Sequence, residues 1–168
     1  MKIVVVGTRG IPDIQGGVET HCEELYPRLA AMGHDVTVVR RSCYVTPQNK
    51  IKEYKGVHLK DIYAPRRKSI EAIVHTFLAI IYARWVGADV LHIHAIGPAL
   101  LTPLARLLGL RVVMTHHGPD YDRQKWNKTA KSVLRWGERM GTNYANEVIV
   151  ISTVIDNISV SYTHLRAH

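Results

Sequence analysis

The sequence predicts a three-layer α/β domain: a parallel sheet with helices packed on both of its faces. Two observations predict it. Short apolar runs alternate along the chain with stretches whose apolar positions recur every three or four residues. Such repeated strand-then-helix segments build a parallel sheet of about six strands, covered on either side. The length of 168 residues suits one domain, and 46% hydrophobic with 21% charged residues is the balance of a folded chain with a proper core.

The elements follow in order. Ile3-Val4-Val5-Val6 is a first strand, closed by Gly7. A loop holding Gly10, Gly16 and Gly17 precedes a helical pattern from Val18 to Met32, then Gly33-His34 and a second strand, Val36-Thr37-Val38-Val39. This is a βαβ unit whose glycine-rich loop lies at the strand's carboxyl end. Loop amides and a helix N-terminus there face the phosphates of a ligand. Cys43 to Lys55 is irregular and reads as a variable loop, and Val57-His58-Leu59 with Ile62 as a short strand. From Ser69 to Trp85, apolar residues at Ile70, Ile73, Val74, Phe77, Ile80, Ile81 and Trp85 mark a helix. Asp89 to His94 is a strand, and Gly97-Pro98 opens a helix carrying Leu100, Leu101, Leu104, Leu107 and Leu108, capped by Gly109. Arg111 to Thr115 is the next strand. A polar loop, His116 to Lys125, leads to a long helix over Trp126 to Tyr144. Glu147 to Ile151 is the last strand, with Ser152 placed to cap a further helix.

A net charge of +8 points to an anionic partner: a nucleotide, a nucleic acid or membrane headgroups. Nucleic acid is disfavoured, because the basic residues lack interleaved aromatics and no recognition motif is visible. Cys22 and Cys43 form no disulfide framework. Cys22 falls on the apolar stripe of the first helix, as a buried reduced thiol would, which fits a cytoplasmic location. The first strand is too short for a signal-peptide core. Ile73 to Val90 is interrupted by His75, Arg84 and Asp89 and does not read as a membrane span.

Histidines mark the strand ends. His92 and His94 alternate on one face of their strand, and His116-His117 follows Thr115 at the end of the next. With neighbouring strands about 5 Å apart, these imidazoles and the Gly16-Gly17 loop converge on one crevice. Imidazole there can give or take a proton near neutral pH, or bond a sugar hydroxyl. A zinc site of His92, His94 and His117 is an alternative without CxxC or HExxH spacing behind it, so no metal is expected. His92 alone reads as a structural histidine. His117, followed by Gly118 in a polar loop, reads as functional. A dinucleotide fingerprint requires GxGxxG and an acidic end to the second strand, whereas Gly7-Thr8-Arg9-Gly10 has another spacing and the strand ends in Arg40-Arg41.

Several motifs in order carry a resemblance. Gly16-Gly17-Val18-Glu19, then Leu25, Leu29 and Gly33-His34-Asp35-Val36-Thr37-Val38, resemble the N-terminal half of GT-B-fold retaining glycosyltransferases that use sugar nucleotides. Asp89-Val90-Leu91-His92-Ile93-His94 and Val112-Val113-Met114-Thr115-His116-His117-Gly118 match further strands of that half. Asp120-Tyr121 with Arg123, Lys125 and Trp126 is similar to a rhamnosyltransferase-like subgroup of bacterial surface polysaccharide synthesis. The resemblance implies a Rossmann-like, acceptor-side domain, and a hexosyltransferase-type enzyme that moves a sugar from a nucleotide donor to a glycan or lipid-linked acceptor. It implies that Gly16 and Gly17 admit the donor diphosphate and that His117 is the active-site histidine against the donor sugar. Arg9, Asp13, His94, Asp120 and Arg123 fall in loops that shape the acceptor side. No protein nucleophile and no cofactor are implied; the nucleotide sugar is a substrate.

Such enzymes hold the donor mostly in a second domain, marked by a glutamate pair spaced E-x7-E. That pair is absent after Ile151, so the chain is expected to be an acceptor-side half, 1–158, inactive without its C-terminal partner domain. Residues 159–168 break the pattern and resemble a non-native tail. The alternative is a stand-alone Rossmann-like module that binds a nucleotide or other anion without catalysis. Arg66, Arg67 and Lys68, just before the amphipathic helix, are a candidate patch for an anionic membrane surface, which would make the protein peripheral at the inner face of the plasma membrane.

Overall fold

The computed structural model describes residues 1–68 and 70–151. Ser69, the expected cap at Ser152, the boundary at Ile158 and the tail 159–168 lie outside the described residues.

The strands are β1 (Lys2–Val6), β2 (Asp35–Arg41), β3 (Glu53–Tyr54), β4 (Val57–Ile62), β5 (Val90–His94), β6 (Val112–His116) and β7 (Glu147–Val150). The helices are α1 (Gly17–Ala31), α2 (Glu71–Trp85), α3 (Thr102–Leu107) and α4 (Lys128–Tyr144). They form one sheet in the order β3-β4-β2-β1-β5-β6-β7. Every neighbouring pair is parallel except β3 with β4. The sheet is therefore α/β and Rossmann-like, with seven strands rather than about six.

The extra strand lies in the segment expected to be a loop. Glu53-Tyr54 folds back on β4 through Lys55 and Gly56, with φ of 46° and 83°. Two consecutive positive φ values are the conformation of a tight hairpin turn, and Gly56 adopts its share without strain. Several boundaries shift, two of them with a visible cause. After Gly97, Pro98–Leu101 makes a 3-10 turn before α3 begins. The helix α4 starts at Lys128, because the Asn127 side chain accepts the Ala130 N–H at 2.8 Å.

Side-chain alternation splits the core into two layers. Ile3 and Val5 of β1, Val36 and Val38 of β2, and Val57 and Leu59 of β4 pack against Cys22 and Tyr26 of α1. Val4, Val6, Leu91, Ile93, Val112 and Met114 point the other way, onto Ala79, Ile80 and Ala83 of α2 and Ala105 of α3. Strand β1 is the centre of both layers, with Val4, Val5 and Val6 fully buried. Cys22 is buried as expected, and burial pushes its thiol up, away from reactivity.

The chain leaves β1 toward β2 and β4, then crosses back to β5 on the other side. That reversal between β1 and β5 is the topological switch point, outside whose carboxyl ends a crevice opens. Gly7 ends β1 there with φ of 96°, and a Cβ on it would lie 2.2 Å from the His94 carbonyl oxygen. Only glycine lets the two strands close at this point.

Helix α4 approaches as tightly. A Cβ on Gly137 would lie 2.0 Å from the Ile96 carbonyl, and one on Gly141 2.7 Å from the Met114 sulfur. Helix propensity alone makes Gly→Ala favourable by about 1 kcal/mol. Gly137→Ala is expected to do the reverse, destabilising the domain by ~2 kcal/mol or more, because α4 must withdraw from β5 and β6. Urea unfolding checks the sign, and a stabilised variant would contradict the packing described.

Candidate functional site

At the carboxyl ends of β1, β5 and β6 lies an open cleft of about 710 Å³. The loop after β1 forms one wall. Glu19, 5% exposed, accepts hydrogen bonds from the Arg9 amide at 2.9 Å and the Thr8 hydroxyl at 3.2 Å. This carboxylate folds the loop back over the start of α1. Gly16 leaves it room, since a Cβ there would lie 2.0 Å from Glu19 Oε2. At Gly17 the same addition meets nothing within 4 Å. The first turn of α1 thus presents bare backbone to the cleft, with its N–H groups and the positive end of the helix dipole.

Arginines border a second wall. Arg41 donates to Glu71 at 2.8 Å and to the Gly7 carbonyl at 3.3 Å, and Tyr44 donates to the same Glu71 at 3.2 Å. Arg9 lies over the Tyr44 ring, 5.3 Å from its centroid. Arg40 is wholly buried, donating to Asp61 at 2.6 and 3.0 Å and to the carbonyls of Asn49 and Ile51. It braces β2 against β4 and the intervening loop.

Histidines form the floor. His92 and His94 sit on the α1 face of β5, where Tyr26 of α1 packs on them. Thr115 Oγ1 and His92 Nε2 share a hydrogen bond of 2.7 Å, and His92 Nδ1 is 2.7 Å from the Tyr26 hydroxyl. The same hydroxyl bonds His94 Nε2, and His94 Nδ1 bonds His117 Nε2 at 2.8 Å. Five side chains from α1, β5, β6 and the following loop thus form one series ending at the cleft. His21, from the second turn of α1, sets its ring edge against His117 with centroids 5.1 Å apart. Burial, then the positive potential of neighbouring histidines, brings His92 and His117 down to about 4 and His94 well below its ordinary value. All three are neutral at pH 7. On the opposite sheet face, His116 and Glu138 pair at 2.5 Å with both side chains fully buried, so His116 belongs to the packing of α4.

The expected site residues divide accordingly. Gly16, Gly17, Arg9, His117, Asp120 and Arg123 border the cleft, the last two as an ion pair at 3.1 Å. Asp13 is exposed and does not border it. His94 corrects the expectation of acceptor contact: it is fully buried behind His117 and both its nitrogens are engaged. Lys68 borders the cleft, whereas Arg66 and Arg67 are exposed beyond it.

Sequence reasoning missed Glu19 as the brace of the loop, His21, Tyr26 and Arg41. Two signals were available. Glu19 and His21 are two residues apart in the first turns of α1, next to the glycine pair. Tyr26 is a hydroxyl-bearing residue in an apolar stripe facing a strand that carries histidines. The imidazoles able to gather a metal ion are also a different set, His21, His94 and His117, whose nitrogens lie within 4.8 Å of one another. His92 is out of reach because Tyr26 and Thr115 occupy both its nitrogens. An ion here would have to displace the proton shared by His94 and His117.

A reversed parallel sheet, a glycine loop on a helix N-terminus and a histidine facing it define a Rossmann-like α/β domain with a cleft at its switch point. The chain belongs to glycosyltransferase family 4, whose model matches residues 15–166. Sucrose-phosphate synthase from Thermosynechococcus elongatus superposes with a TM-score of 0.70 at 20% identity, over 98% of this chain and 44% of that one. A second, shorter structure of that synthase gives 0.63 at 19% identity, over 99% and 82%. At such identities the likeness shows the fold. The chain spans less than half the length of the first of these structures. No curated protein sequence matches the chain.

The buried imidazoles make stability depend on pH. Burial, then Arg41, lowers His75 from 6.5 to about 4, and burial lowers His92 equally. An unfolded chain binds these protons near pH 6.5, while the folded chain resists them until about pH 4. Stability is therefore complete above pH 6.5 and falls as pH drops through that window, by on the order of 3 kcal/mol for each of these two groups. Thermal unfolding between pH 8 and pH 4 measures it. A midpoint that stays level down to pH 4 would contradict neutral burial.

Proposed function

We infer that this domain is the acceptor-side half of a retaining, hexosyltransferase-type enzyme that moves a sugar from a nucleotide donor to a glycan or lipid-linked acceptor. Surface polysaccharide synthesis of the rhamnosyltransferase-like kind is the context that the Asp120-Tyr121 loop supports. The observation that carries the reading is the bare first turn of α1 at Gly17 in the same cleft as the free edge of His117. Diphosphate oxygens lie against the α1 amides, and the sugar they carry reaches His117. Arg9, Asp120 and Arg123 line the remaining rim, where an acceptor enters. The nucleotide is held by a second domain, so residues 1–168 alone turn over no sugar nucleotide.

Chemistry at this site needs no protein nucleophile. The leaving diphosphate accumulates negative charge as the glycosidic bond breaks, and the helix N-terminus is already oriented toward that charge. A transition-state contact of ~3 kcal/mol from His117 corresponds to about 10²-fold in rate. In the enzyme containing this domain, His117→Ala should lose at least that much kcat with the fold intact. Gly17→Val should raise the KM for the donor, because the side chain fills open cleft rather than packed protein. Steady-state kinetics with UDP-, GDP- and dTDP-sugars test both, and wild-type constants in either variant would reject the assigned role.

The acceptor's location bears on a second surface. Arg66, Arg67 and Lys68 are exposed just before Ile70, which caps α2, and Ile70 with Phe77, Ile81 and Trp85 of that helix are 42, 46, 46 and 82% exposed. Phe77, Ile81 and Trp85, four residues apart, share one face of α2. A basic cluster beside an apolar stripe suits an anionic bilayer surface, each cation contributing about 1 kcal/mol. No helix among the described residues is long and apolar enough to cross a membrane. Cosedimentation with vesicles rich in anionic lipid is expected at low salt, with release as salt rises. Changing Arg66, Arg67 and Lys68 together to Ala should reduce binding about a hundredfold. Equal binding to neutral vesicles would exclude this surface.

A further inference from the structure

We propose that Thr115, His92, Tyr26 and His94 form a one-way hydrogen-bond series that holds His117 as its Nδ1–H tautomer, so that His117 meets its ligand as a donor. The direction is set at the buried end. Thr115 is fully buried, and among the described residues its hydroxyl has one partner, His92 Nε2. If that hydroxyl accepted, its own hydrogen would be enclosed with nothing to receive it. An orphaned buried donor is the costlier defect, whereas a hydroxyl oxygen tolerates unused lone pairs. Thr115 therefore donates to His92 Nε2.

The rest follows from the inventory of each group. A neutral imidazole carries one donor and one acceptor nitrogen, and a phenol has a single hydrogen. His92, accepting at Nε2, must carry its proton on Nδ1 and donate to the Tyr26 oxygen. Tyr26 then gives its own hydrogen to His94 Nε2. His94 carries its proton on Nδ1 and donates to His117 Nε2 at 2.8 Å. His117 is left protonated on Nδ1, which has no protein partner among the described residues, in a ring bordering the cleft. The lowered affinity of the three imidazoles for a second proton keeps the series neutral near pH 7.

Direction decides the role of His117. Run this way, the series gives His117 a fixed N–H for an acceptor oxygen of the ligand. Run the opposite way, it would expose a lone pair that could take a proton from a hydroxyl. The four upstream side chains are positioning residues, since none of them touches the cleft. On the function proposed above, the oxygen that His117 meets belongs to the donor's sugar, and that part rests on the reading; the tautomers do not.

Long-range ¹H–¹⁵N spectra of the histidine rings in the ¹⁵N-labelled 168-residue chain at pH 7 test the series. His92, His94 and His117 should all show the Nδ1–H pattern, the reverse of the Nε2–H form that free histidine favours. His92→Asp puts a carboxylate that can only accept where Nδ1 stood. Tyr26 must then donate toward it, and His94 and His117 should both switch to Nε2–H. His92→Asn, able to give or accept, controls for the loss of the ring. An Nε2–H tautomer at His117 in the wild type overturns the proposal, as does an unchanged His117 in folded His92→Asp. Should that variant not fold, the wild-type spectrum alone decides. Failure here leaves the donor-site reading intact, because the Gly17→Val kinetics do not depend on tautomers.

Discussion

One hydroxyl, that of Tyr26, ties the functional edge of this domain together. It is fully buried where α1 crosses β5, bonded to two imidazoles of that strand. Over β1, β2 and β4, α1 meets the sheet mainly through apolar side chains, whose contacts carry no fixed direction. Over β5 it meets histidines instead, and hydrogen bonds fix distance and direction there. The helix that presents its N-terminus to the cleft is thereby locked to the strand that carries His94, and through it to His117. The position of the glycine loop relative to His117 follows from that lock.

The same edge is shaped by close backbone approach. Gly7 lets β1 and β5 end side by side, Gly137 lets α4 reach the chain just after β5, and Gly16 makes room for the carboxylate that braces the loop. These glycines bring neighbouring elements closer than any side chain permits. They sit around the switch point of the sheet, where the chain's reversal opens the crevice. Packing at this end gives way to open backbone at Gly17, the one glycine of the loop pair whose added side chain would meet only space.

Much of the fold was legible because strand and helix periods are local properties. The valine runs of β1 and β2, the spacing of α2 and the Gly109 cap need only neighbours in sequence to be read. The β3 hairpin was not legible, since a two-residue strand has no period and Lys55-Gly56 was its sole signal. Within the site, glycines and strand-end histidines were visible as types. Their division of labour was not. Whether His94 meets a ligand or lies behind His117 depends on Tyr26, sixty-eight residues distant in sequence, and on which face of β5 the helix covers. His21 escaped notice because a half-buried histidine on an amphipathic helix looks like any other polar position.

Stability of the Tyr26→Phe variant tests the central claim most directly. The change removes one oxygen, keeps the ring in its packing, and leaves two buried imidazole nitrogens without partners. Each such group costs about 1–3 kcal/mol, so urea unfolding should show a loss of roughly 2–6 kcal/mol. Tyr54→Phe, whose hydroxyl donates to Glu23 at 3.1 Å in a half-buried setting, should lose less than about 1 kcal/mol. Equal and small losses in the two variants would contradict the claim that the Tyr26 hydroxyl locks α1 to β5.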